Sequence, residues 1–330
     1  MQTTIVTEAE LGPAVEALRA GHVVAFPTET VYGLGANGLS ADACRKVFEA
    51  KGRPEDNPLI LHVLGLSGLA ALTSGPVPPL AAALVDAFWP GPLTVVVPAA
   101  GHIPRIVRAG LETVAVRAPS HTVARALIDG LNGPIAAPSA NLSGRPSPTT
   151  AQAVYQDMNG RISYIIDGGP TTVGVESTVV DCTTNPVTLL RPGGVSLEML
   201  ASVLGEVVVP RAGSVVRSPG MKYRHYAPNA PVVWIRSTDA GVVNAAVRDL
   251  AREYGTLGVA APEKFSALSG PLYRSLGPNA VTAAHRLFQA LRALDEHNPD
   301  AIVVVWDSDE GLGLAISNRL EKAAGGVVAP

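Results

Sequence analysis

The sequence predicts a chain of α/β (α+β) class in two parts: a larger domain around a mixed sheet, then a small doubly wound one. Three observations carry this. Up to residue 210, short apolar runs alternate with helical periodicity. From Pro231 onward strand and helix alternate regularly, the pattern of a Rossmann-like unit. Between them, residues 211–230 hold Arg211, Arg217, Lys222 and Arg224 with no acid, plus Gly213, Pro219, Gly220 and Pro228. That stretch reads as an extended basic linker. The expected parts are therefore 1–210, 211–230 and 231–330.

In the first part, Leu11, Val15 and Leu18 recur at helical spacing and Gly21 ends that helix. Val23 to Phe26 is a buried strand. Ser40 caps a helix that carries Val47 and Phe48 on one face. Leu59 to Val63 is the next strand, Pro79 to Trp89 a helix, and Leu93 to Val97 and Thr113 to Val116 are strands. A helix from His121 to Leu131 leads into the strand Ile135 to Ala137. Further strands follow at Tyr164 to Ile166, Thr178 to Val180 and Val187 to Leu190. In the last part, the strands are Val232 to Ile235, Leu257 to Ala260 and Ala301 to Val305. The helices are Ala240 to Tyr254, Ala280 to Leu294 and Gly311 to Ala324.

Composition narrows the function classes. Of 330 residues, 47% are hydrophobic and 16% charged, enough to bury cores and unlike a disordered chain. The net charge of −3 rules out a strongly basic coat, so any tRNA contact is local or weak. Cys44 and Cys182 have no metal or disulfide spacing and read as free thiols in a reducing cytoplasm. No basic leader with an apolar core opens the chain, and no run of 18 apolar residues predicts a membrane span.

Three segments could do chemistry. Lys51-Gly52-Arg53-Pro54 follows a helix and precedes a strand. Glycine allows a tight turn and proline fixes the exit, so the two cations can face one anion such as a polyphosphate. The alternative is a solvated surface turn. Pro138-Ser139-Ala140-Asn141-Leu142-Ser143-Gly144-Arg145-Pro146-Ser147 places small residues and hydroxyls after an apolar strand, at what should be the sheet's C-terminal edge. It is either a ligand loop or a Ser/Pro-rich connection. Pro27-Thr28-Glu29-Thr30-Val31-Tyr32-Gly33-Leu34-Gly35 also follows a strand, but without the spacing of a dinucleotide fingerprint. Among single residues, His62 is either a core histidine or a ligand contact. Arg117, at a strand end, pairs either with a substrate carboxylate or with a structural acid. Glu176-Ser177-Thr178 and Arg191-Pro192-Gly193 repeat the arrangement of polar groups at strand ends. One shared anion pocket explains these groups together.

These motifs resemble the YrdC-type domain of the threonylcarbamoyl-adenylate synthase family. The resemblance is carried by Phe26 to Leu34, by Lys51-Gly52-Arg53-Pro54 with Asn57-Pro58-Leu59-Ile60, and by Pro138-Ser139-Ala140-Asn141. Ser218-Pro219-Gly220-Met221-Lys222-Tyr223-Arg224-His225-Tyr226-Ala227-Pro228 is similar to the link to the extra C-terminal domain of the long form. The resemblance implies a twisted mixed sheet with flanking helices plus a small Rossmann-like domain. It implies a nucleotidyltransferase that joins L-threonine, bicarbonate and ATP into threonylcarbamoyl-adenylate and pyrophosphate, with Mg2+ on the triphosphate. A threonylcarbamoyl-transferase complex acting on tRNA would use the product.

Carried over motif by motif, the resemblance implies Lys51, Arg53, Ser139 and Asn141 as the catalytic group. It implies nucleotide contacts from Arg53, Asn57, Thr113, Ser139, Ser147, Arg191 and Tyr226. Threonine contacts would come from Thr30, His62, Arg117, the Ala137 backbone and Ser177, with the choice between Thr28 and Thr30 open. No metal ligands in the protein are implied. The basic linker is expected to close over the pocket as a lid that keeps water from a labile carbamate.

Two rival readings compete with this one. A double-stranded RNA or tRNA-binding module would use the same anion pocket, but the net charge and an aromatic content of 5% weigh against it. A carbamoyl-adenylate-forming hydrogenase-maturation enzyme uses a related domain, but its zinc fingers need more than two cysteines.

Overall fold

The structure is a computed structural model that describes residues 2–210, 225–268, 272–325 and 328–329. The cations Arg211, Arg217, Lys222 and Arg224, and with them 211–224 of the expected lid, lie outside the described residues. The chain divides into two compact units. The first takes in 2–143, 148–172 and 176–210; the second takes in 144–147, 173–175 and the chain from 225 onward.

In the first unit, the strands are β1 (Thr4–Thr7), β2 (Val24–Phe26), β3 (Gly33–Asn37), β4 (Ile60–His62), β5 (Leu93–Pro98) and β6 (Thr113–Arg117). They continue with β7 (Ile135–Ala136), β8 (Tyr164–Asp167), β9 (Thr178–Asp181), β10 (Val187–Arg191) and β11 (Val207–Val208). The helices are α1 (Leu11–Arg19), α2 (Ala41–Lys51), α3 (Leu66–Leu72), α4 (Pro79–Phe88), α5 (Thr122–Leu131), α6 (Ala151–Met158) and α7 (Leu197–Leu204). The strands form one mixed sheet in the order β1-β8-β2-β3-β7-β4-β6-β5-β9-β10-β11.

The core lies on both faces of this sheet. One cluster joins Tyr32, Leu34, Val47 and Ile165 with α6, and another joins Phe26, Ile135 and Ile166 with α1 and α5. Each fully buried side chain of this kind contributes roughly 1.5–3 kcal/mol. Ser40 caps α2 by accepting the Ala43 N–H, which fixes where the helix starts and so where Lys51 ends it.

Two expectations fail locally. Gly33–Asn37, where the sequence reading places no element, is the strand β3, because tertiary pairing with β2 and β7 overrides a segment with no β-branched residue. The polar groups do not share one C-terminal edge. β7 runs antiparallel to β4, with Leu61 opposite Ala136, so the chain after Ala137 heads for the amino end of β4.

In the second unit, β12 (Val232–Ile235), β13 (Leu257–Pro262), β14 (Tyr273–Gly277), β15 (Ala301–Val305) and β16 (Val328–Ala329) form an all-parallel sheet. Its order is β14-β13-β15-β12-β16. Helix α8 (Ala240–Tyr254) packs on the face carrying Ile235, Val303 and Val305. Helices α9 (Ala280–Asp295) and α10 (Gly313–Ala324) pack on each other and on the sheet. This is the doubly wound arrangement the alternation implied.

Candidate active site

The turn after α2 begins the site. Gly52 closes the helix in the left-handed region at φ 61°, a conformation only glycine adopts without strain. Lys51 is buried, and its ammonium donates to the carbonyls of Ser139 at 2.5 Å and Asn141 at 2.6 Å. Lys51 therefore ties the 139–141 loop to the end of α2. Arg53 is half-buried and donates to the carbonyls of Asn57 at 3.2 Å and Pro58 at 3.1 Å. Asn57 is 2% exposed, and both polar atoms of its side-chain amide lack a partner among the described residues. A buried unsatisfied amide costs about 1–3 kcal/mol, which points to a ligand that completes it.

The 139–141 loop is held from both sides. Ser139 bridges Gly33 across the sheet, and its hydroxyl donates to the Asn141 side-chain oxygen at 2.5 Å. The next residue, Leu142, donates its N–H to the buried carboxylate of Asp157 at 3.2 Å. Asn57, Ser139 and Asn141 thus lie beyond the amino end of β4, beside the Lys51 turn. Thr113 opens β6 opposite Pro98, at the far end of that strand from Arg117.

A second group lies in one row across the sheet. His62 pairs in register with Arg117, Arg117 with Thr94, and Thr94 with Val179, which faces Arg191. Arg117 is 4% exposed. It donates to the Thr30 hydroxyl at 2.9 Å and the Gly91 carbonyl at 3.3 Å, and lies 2.6 Å from the Glu29 carboxylate. That last contact is an ion pair without the angle of an aligned hydrogen bond. Thr28 sits within the turn, accepting the N–H groups of Thr30 and Val31, so Thr30 is the threonine joined to Arg117.

Ser177 shares a hydroxyl bond of 2.8 Å with Thr94, and Arg191 donates to its carbonyl at 2.9 Å and its hydroxyl at 3.1 Å. Gly193 lets this corner close, because a Cβ there would collide with the backbone of Glu176 and Ser177. Ala137 donates its N–H to the Ile60 carbonyl.

Electrostatics follow from the burial. Desolvation would raise the Glu29 pKa, but the Arg117 charge and then the Ser120 N–H outweigh it and hold the carboxylate low. Burial, and then Arg117, push His62 down to about 3, so its imidazole is neutral at pH 7. Its Nδ1 lies 3.2 Å from the Ile60 carbonyl, and its ring meets Phe26 edge-on. Sequence reasoning missed Glu29, Thr94 and Asp157. Glu29 alone had a visible signal, as an acid between apolar runs.

Two expected residues belong to the second unit. Ser147 is buried there, and Tyr226 adopts φ 65° with its ring stacked 5.4 Å from Phe288 and 5.3 Å from the Arg319 guanidinium. Among the described residues no group of three or more His, Cys, Asp or Glu could hold a metal ion. No helix among them is long and apolar enough to cross a membrane.

Comparison with known proteins gives consistent results. A family model described as "Telomere recombination" matches residues 16–193, and one described as "Threonylcarbamoyl-AMP synthase, C-terminal domain" matches 195–325. A threonylcarbamoyl-AMP synthase of Bacillus subtilis is 47% identical over 97% of this chain and 94% of its own length. Another, of Pyrococcus abyssi, is 45% identical over 93% and 92%. The crystal structure of P. abyssi Sua5 complexed with L-threonine superposes with a TM-score of 0.93 at 43% identity, over 99% of each chain.

Proposed function

The chain belongs to the threonylcarbamoyl-AMP synthase family, and we propose that it joins L-threonine, bicarbonate and ATP into threonylcarbamoyl-AMP, as a nucleotidyltransferase in tRNA modification. The threonine amine takes up the carbon of bicarbonate as a carbamate, with loss of water. A carbamate oxygen attacks the α-phosphorus of ATP, the bond to the β-phosphate bridging oxygen breaks, and pyrophosphate leaves.

The observation that carries this reading is the buried group of Thr30, His62, Arg117 and Ser177, in which Thr30 is bonded to Arg117 and Ser177 to its neighbour Thr94. It offers hydroxyls, a neutral imidazole and a guanidinium with N–H groups to spare, which suits a small hydroxy amino acid. Glu29 balances the Arg117 charge before a substrate arrives, so burying that cation costs less. On the Lys51 side, Arg53 and the open amide of Asn57 face the nucleotide, and Lys51 holds Ser139 and Asn141 in place. Thr113 adds to that contact, and Arg191 reaches the nucleotide from its place beside Ser177. Charge grows on the phosphate oxygens during transfer, and preorganised cations stabilise it. Magnesium enters with the triphosphate as part of the substrate, which offers it hard oxygen ligands.

The product is a reactive mixed anhydride, so its consumer is an acyl-accepting reaction on tRNA run by a separate transferase complex. Incubation with ATP, magnesium, L-threonine and 13C-bicarbonate tests the proposal. A product holding AMP and threonine, one mass unit heavier than with ordinary bicarbonate, supports it. A product with no label overturns it.

A further inference from the structure

The reaction proposed above gives the parallel sheet of the second unit no task, yet that sheet has a cleft of its own. It measures about 480 Å3 and lies at the carboxyl ends of the parallel strands. Its walls come from the four loops that follow β12, β13, β14 and β15, and from no strand's amino end. The chain leaves β13 for β14 on one side and leaves β15 for β16 on the other, while β13 and β15 are neighbours. Their carboxyl ends are therefore a topological switch point, where an open parallel sheet splits its connections and opens a crevice. The volume falls within the range of small-molecule sites.

The chemistry of the lining is divided. Phe265, Val305 and Trp306 make an apolar floor. Glu263 follows the last residue of β13, the second strand of the unit, where a carboxylate can take ribose hydroxyls. Lys264 sits over the Phe265 ring at 5.1 Å. Neither Glu263 nor Lys264 has an ion-pair partner among the described residues, whereas Asp307 is already held by Arg236 at 3.3 Å. Asn279 and Ala280, also in the lining, begin α9. The Asn279 side chain accepts the Thr282 N–H, which leaves the earlier N–H groups of a helix with no acid in its first turn. No glycine lines the cleft, so the close backbone approach that a dinucleotide's pyrophosphate needs is missing.

We infer that this cleft is a second ligand site, for a nucleoside monophosphate, separate from the residues of the proposed reaction. The phosphate lies between Lys264 and the start of α9, the ribose faces Glu263, and the base rests on the floor by Trp306.

The test uses the full chain and AMP as probe. Trp306 is one of three tryptophans, and its indole N–H donates to the Ser308 carbonyl at 2.9 Å. Its NMR signal is identified by its loss in Trp306→Phe. AMP should shift that signal saturably, and adenosine or inorganic phosphate should need far higher concentrations. Lys264→Glu, an exposed change, should weaken AMP at this signal at least about tenfold, the effect of losing one charge-assisted contact. Threonine-dependent pyrophosphate release should remain at the wild-type rate in that variant. An unmoved Trp306 signal, an unchanged titration in Lys264→Glu, or phosphate binding as tightly as AMP would each overturn the inference, and none of these touches the proposed reaction.

Discussion

Glu29 and Arg117 form an ion pair of 2.6 Å in which neither side chain is more than a tenth exposed. Such a pair stabilises little as a whole, because two charges have left water. Removing one partner is different, since the other charge stays buried alone. Glu29→Gln is therefore expected to lower stability by about 3–5 kcal/mol in urea unfolding. It should also raise the KM for threonine, because Arg117, which donates to Thr30, loses the carboxylate that anchors it. A midpoint equal to wild type would contradict the role given to the pair.

His62 makes a prediction about pH. Its folded pKa, about 3, lies below its ordinary 6.5. Between those values the unfolded chain binds a proton that the native chain refuses. Stability therefore falls as the pH drops from about 6.5, by up to about 1.4 kcal/mol per pH unit from this residue. The lowered Glu29 acts only in stronger acid: its contribution is present above the ordinary 4.5 and lost as pH falls through the folded value. Unfolding at pH 7 and pH 5 separates the two. His62→Gln should lose about 2 kcal/mol less than wild type over that interval, and an equal loss would reject a neutral buried His62.

Asn57 should show opposite effects on stability and binding. Its buried amide has no partner among the described residues, so Asn57→Leu should leave the unfolding midpoint unchanged or raise it. The same change should raise the KM for ATP. A destabilised variant with normal KM would mean the amide serves the fold.

Lys51 and Arg53, separated by Gly52, are cations with different tasks. Lys51→Met removes two charged hydrogen bonds to the Ser139 and Asn141 carbonyls and should cost about 2–3 kcal/mol of stability along with activity. Arg53→Ala should keep the fold and lose about 2–4 kcal/mol of transition-state stabilisation, read as kcat/KM. Equal stability losses in both would erase the distinction.

Much of this was legible in the sequence because local signals were strong. Ser40 announced the start of α2, and the apolar run around Ile60 announced β4. Strand β3 was missed because Gly33, Gly35 and Asn37 give no strand signal, and only its neighbours in the sheet hold it there. The site's residue types were readable, but their division was not. Whether Ser139 joins Asn57 or Arg117 depends on the antiparallel β4–β7 pairing, which lies about 75 residues apart in sequence and leaves no local mark. Lys51 read as a cation facing an anion, yet the structure shows it gripping backbone carbonyls, a contact no spacing rule contains.

Pyrophosphate release from ATP, measured in bicarbonate buffer with and without L-threonine, tests the central claim most directly. Release that requires threonine, and that collapses in Arg53→Ala while the protein stays folded, is the expected result. Release at the same rate without threonine would contradict it.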